Sequence, residues 1–120
     1  MTANNVDALE VRLDQARAAV NLKDDLIALQ SNQAFLNVIN KGYLEHEAIR
    51  LVKAKSNPTM QDEMNQKDLD NSIIAIGQLE QYFRKIIAMG TQMEKTIVDT
   101  QKEMDIDDSS EEGKAVGEEL

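Results

Sequence analysis

From Ile76 to Met104 the chain reads IGQLEQYFRKIIAMGTQMEKTIVDTQKEM, and within it Ile76, Leu79, Phe83, Ile86, Gly90, Met93, Ile97, Thr100 and Met104 recur at alternating steps of three and four. Such steps return side chains to one side of an α-helix, whereas a half-buried strand alternates every second residue. Sustained over four heptads, they mark a helix–helix seam. Leu69, Ile73 and Ile87 widen the stripe toward its middle. The pattern predicts one long helix over 61–104, roughly 65 Å at 1.5 Å per residue. Its wide part is expected to bury most, and the narrower part around Gly90 and Thr100 suits contact with a single neighbouring helix.

Upstream, Ser56-Asn57-Pro58-Thr59 is the strongest punctuation in the chain. Proline pushes the residue before it out of the α region and cannot donate to the helical ladder, so residues 56–60 form a turn. Before it, Tyr43, Leu44, Ala48, Ile49, Leu51 and Val52 give a helical face over 43–55, with Lys53 and Lys55 at the end where cations favour the helix dipole. Phe35, Leu36, Val38 and Ile39 give a shorter apolar helix over 33–41 that runs into Gly42, where a kink or C-cap is expected. Folded back across the Pro58 turn, the stretch from Phe35 to Val52 would lie antiparallel to the long helix.

A further helix is predicted over 5–30, with Val6, Leu9, Leu13, Ala16, Val20, Lys23 and Ile27 at heptad spacing. Asn4 or Asn5 suits its N-cap, and Ser31-Asn32 offers side chains that interrupt one helix and cap the next. The sequence therefore predicts an all-α fold: an elongated antiparallel helical hairpin with an additional N-terminal helix, in one domain over 1–104. After Met104 the pattern stops. Asp105 to Leu120 holds seven acids against Lys114, a net −6 of the chain's −9, and is expected to be a disordered acidic tail.

Composition agrees. The 120 residues suit one core, aromatics are only 3%, and one proline with five glycines is far too little punctuation for an all-β chain. The absence of cysteine removes disulfides and thiolate metal sites. No basic region followed by an apolar run opens the chain, and no segment has the length of a membrane span, so neither export nor a membrane partner is expected. The negative charge disfavours direct nucleic-acid binding, which draws on Lys and Arg.

The residue inventory offers little chemistry. His46-Glu47 opens like the helical zinc-protease motif, but position 50 is Arg50 where a second histidine is needed. Asp24 with Asp25, and Glu45 with Glu47, are too close in sequence to converge from one helix on a substrate. In the tail, Asp105, Asp107, Ser109 and Glu111 alternate as calcium ligands do, yet Ser110 and Val116 occupy the positions that need glycine and a bidentate glutamate. Gly113-Lys114 lacks the rest of a phosphate loop. No catalytic, metal or cofactor residue is assigned, and no small-molecule substrate is expected. Met60, Met64, Met89, Met93 and Met104 fall in the second half, where thioethers at helical spacing serve as core more often than as an adaptable binding surface.

Asn32-Gln33-Ala34-Phe35, Gly42-Tyr43-Leu44, Glu47-Ala48 and Arg50-Leu51, followed after the turn by Ile76-Gly77, Leu79 and Phe83, resemble a group of small coiled-coil or helical-hairpin proteins of tailed bacteriophages. The resemblance covers residues 30–89 and brings no catalytic residues. It implies a phage structural or assembly role, in the virion or the host cytoplasm.

The residues themselves lead to protein-mediated assembly. A two-helix hairpin has little interior, and a heptad seam on a separate N-terminal helix needs a surface to cover it. The interaction seam is expected at Val6, Leu9, Leu13, Val20, Ile27, Leu79, Phe83, Ile86, Met93 and Ile97. The expected function is a non-enzymatic phage protein that forms a homo-oligomer or attaches to virion proteins. Two alternatives are an acidic inhibitor or adaptor of a host protein and a transient assembly scaffold.

Overall fold

The computed structural model describes the backbone of residues 3–119 and the side chains of residues 5–106. The chain is all-α, with no strand among the described residues. Helix α1 is Ala3–Gln30 and α2 is the single turn Gln33–Phe35. A π-helix follows over Leu36–Glu47, then α3 over Ala48–Lys55, a 3-10 turn over Pro58–Met60, and α4 over Glu63–Glu119. Backbone proximity groups these into two units, one of Met1–Lys23 with Ala88–Leu120 and one of Asp24–Ile87.

Local chemistry sets the helix boundaries. At the end of α1 the Ser31 hydroxyl donates to the Ile27 carbonyl at 3.2 Å, and Asn32 takes extended backbone geometry while its side chain accepts the Phe35 N–H at 3.0 Å. One orphan donor of the next helix is thereby satisfied. At the end of α3 the Ser56 hydroxyl donates to Lys53 at 2.9 Å, and Pro58 stands at the first position of its turn, where its missing N–H costs nothing. The Asn57 side chain accepts from the Thr59 N–H at 3.0 Å. Gln61 and Gln66 then donate to the Lys55 carbonyl at 2.8 and 3.1 Å, satisfying a group that the helix end leaves free. Asp62 caps α4, accepting the Asn65 backbone N–H at 3.1 Å and its side-chain amide at 2.6 Å.

Three boundaries differ from expectation. Helix α1 already includes Asn4 and Asn5, so neither stands ahead of it as a cap. Gly42 does not break its helix: the π-helix carries the chain through it, and a Cβ placed there would stand 3.0 Å from the Asn37 carbonyl oxygen. Phe35, Ile39, Tyr43 and Glu47 are all half-buried, and Leu51 is buried, in a row of strict four-residue steps. A 3.6-residue turn overshoots such a row, whereas the wider π coil, closed by i to i+5 bonds, does not. The third difference is at Met104, where the backbone of α4 continues to Glu119, through Gly113 and Gly117. The side chains of the acidic tail from residue 107 onward lie outside the described residues.

Within residues 24–87 the core is Leu51, Leu69 and Ile76, with Tyr43, Leu44, Ala48, Ala54, Met60 and Ile73 packed around it. The Lys55 ammonium pairs with Asp70 near the turn, and the rings of Phe35 and Phe83 meet farther away at 6.1 Å between centroids. Within the other unit Leu9, Leu13 and Ala16 are buried on α1, and Gly90 and Thr100 on α4. Gly90 permits close approach: a Cβ there would fall 2.4 Å from Cβ of Lys23 and 2.9 Å from its Cγ. The Lys23 stem lies across that glycine while its ammonium reaches Glu94 and stands 3.5 Å from the Thr91 hydroxyl. An apolar stem under a solvated charge lets a lysine occupy a seam position.

Candidate protein-interaction surface

The seam residues divide by location. In the unit of residues 1–23 and 88–120, Leu9 and Leu13 are each 5% exposed, and Val6, Val20, Met93 and Ile97 are half-buried. In the unit of residues 24–87, Ile86 is buried and Leu79 and Phe83 are half-buried. Ile27 is the exception, 45% exposed, while Leu26 is buried at 3%. After Lys23 the buried step shortens to three residues where a heptad needs four, a local stammer that moves the covered face to Leu26. Apart from Ile27, the seam residues are covered to a large extent by their own chain. The exposed apolar side chains lie elsewhere.

Val11, Leu22, Ile27 and Leu29 are exposed on α1, Val38 on the π-helix, and Ile49 and Val52 on α3. Ala48, Ile49, Val52 and the Lys53 stem line one shallow groove; Val38, Ile39, Gly42, Tyr43 and Glu47 line another. Among the methionines, Met60, Met93 and Met104 are half-buried, whereas Met64 and Met89 are exposed. Sequence reasoning passed over the outer set because the heptad pattern draws attention to one row per helix. The signal that finds it is a second row of the same spacing on α1.

The electrostatics of the surface are those of paired, solvated charges. Arg50 donates from Nε to Glu47 at 2.9 Å and from Nη2 to its other oxygen. These hydrogen bonds, with the guanidinium charge behind them, hold the Glu47 carboxyl below its ordinary value and raise the Arg50 guanidinium. Glu47, the acid that follows His46 in the zinc-protease-like pair, is thus engaged by Arg50, which stands where that motif needs a second histidine. Arg84 pairs with Glu80 at 2.8 Å, and Arg12 faces Glu103 at 3.9 Å. Among the described residues no group of three or more His, Cys, Asp or Glu is placed to hold a metal ion, and no helix is long and apolar enough to cross a membrane.

Compared with known protein families, characterised proteins and solved structures, the chain matches none.

Proposed function

We propose that this protein is a non-enzymatic assembly protein that works through the outer faces of its helices, forming oligomers or attaching to a larger protein complex. The observation that supports this reading is the apolar groove along Ala48, Ile49 and Val52, where Ile49 is 48% and Val52 59% exposed beside a core already filled by Leu51 from the inner side of the same helix. Single exposed apolar residues are ordinary, but neighbours forming a groove on one helix favour contact with another protein. The helical stretches on either side of the Pro58 turn form an antiparallel hairpin in this reading, the paired Lys55–Asp70 and Phe35–Phe83 contacts marking its near and far ends. In this reading the assembly belongs to a virion, which rests only on the resemblance of residues 30–89 to small helical proteins of tailed phages.

Mass spectrometry of purified particles, with a pull-down from host lysate beside it, tests the proposal. Stoichiometric recovery in the particle supports a virion component. A single host partner with no particle association replaces it with an acidic inhibitor or adaptor, and presence only in immature particles with a scaffold.

A further inference from the structure

Helix α1 carries two apolar rows rather than one. Leu9, Leu13, Ala16 and Val20 face inward and are buried or half-buried. Roughly half a turn away, Ala8, Val11, Gln15, Ala18, Leu22, Asp25 and Leu29 again follow alternating steps of three and four, and every one of them is exposed. Val11, Leu22 and Leu29 are 56%, 46% and 47% exposed. A helix with one neighbour ordinarily turns its polar side outward, so a second heptad row directly behind the first is unexplained by the contacts of α1 within the chain.

We propose that this outer row is a dimer interface in which α1 packs antiparallel against α1 of a second copy of the chain, about a two-fold axis passing beside Val20. The proposal rests on the assembly reading and names its surface and its occupant. The row's own chemistry selects a second copy. About that axis Val11 faces Leu29 of the other copy, Ala18 faces Leu22, and Gln15 faces Asp25. Small stands opposite large, and an amide donor stands opposite a carboxylate, each pair formed twice as an isologous contact requires. The parallel alternative sets Asp25 against Asp25 in a desolvated seam, and like charges so placed oppose association. Of the flanking positions, Ala19, Asn21 and Ala28 are small or uncharged, and Arg12 and Asp14 stand opposite Ala28 and Leu26 of the other copy, so no like charges meet.

Sedimentation equilibrium of the full chain, with disulfide trapping beside it, tests the interface. The 13.5 kDa chain is expected to reach twice that mass as concentration rises. Leu22→Asp is expected to weaken dimerisation at least about tenfold while circular dichroism stays unchanged. Because the natural chain has no cysteine, A18C mixed with L22C should form a mixed disulfide that neither forms alone. A disulfide from L22C by itself overturns the antiparallel arrangement. An oligomer indifferent to Leu22→Asp overturns the interface and leaves the assembly reading standing on another face. A chain that stays at 13.5 kDa overturns this inference, and the assembly reading is then decided separately by recovery in particles.

Discussion

Replacing Gly90 with alanine sets two effects of known sign against each other. In an exposed helix interior the change gains about 1 kcal/mol, because alanine loses less conformational freedom than glycine. At Gly90 the added methyl group would meet Lys23 at Cβ 2.4 Å, Cδ 2.6 Å and Cγ 2.9 Å. The far end of a lysine swings away cheaply, but its Cβ is fixed to the backbone of α1, so α1 and α4 must separate locally. Overpacking of this kind costs about 1–3 kcal/mol. The net expectation is a loss of about 1 kcal/mol for Gly90→Ala, and more for Gly90→Val, whose branched side chain fills more of the contact. Gly77 is the internal control, since a Cβ there meets nothing within 4 Å. Gly77→Ala is expected to stabilise by about 0.5–1 kcal/mol. Urea unfolding followed by circular dichroism measures both, with a shifted midpoint and an unchanged slope as the sign of a pure stability effect. If Gly90→Ala stabilises as much as Gly77→Ala, the close approach of Lys23 to Gly90 is wrong.

Leu13→Asp, at a site 5% exposed, places an unpaired carboxylate in the seam and is expected to lose at least about 3 kcal/mol, read as a fall in helicity and in urea midpoint. Leu51→Ala removes a central member of the Leu51, Leu69 and Ile76 core and is expected to cost about 2–5 kcal/mol by the same measurement. Asp62 is held below its ordinary value of 3.8, first by the Asn65 backbone N–H and then by the Asn65 side chain. Its contribution to stability is therefore fully present above that value and lost as pH falls through the lower folded one. Asp62→Asn keeps a side-chain acceptor at the cap, so urea midpoints measured down into acid should fall less steeply than those of the natural chain.

Much of this fold was legible in residue spacing. All nine residues of the row from Ile76 to Met104 are buried or half-buried, because a long helix with one covered side leaves the three-four pattern little freedom. The caps at Asn32 and Asn57 follow from side chains that hydrogen-bond their own backbone. The π-helix was not legible, because nothing in propensity separates an i to i+5 ladder from the α ladder. The exchange of Ile27 for Leu26 was hidden for a related reason. Both are apolar neighbours, and only the position of the covering element decides which is buried. The same limit applied to the surface. Val11, Ala18, Leu22 and Leu29 have heptad spacing as regular as the inner row, but spacing alone does not say which of two rows its own chain covers.

Amide hydrogen exchange along Leu9 to Val20, measured from dilute to concentrated protein, tests most directly whether that inner row is covered by the chain itself. The structure predicts strong protection that persists at the lowest concentration, because Leu9, Leu13 and Ala16 are buried within one chain. Protection that disappears on dilution would contradict it, since the row would then be covered only by another molecule.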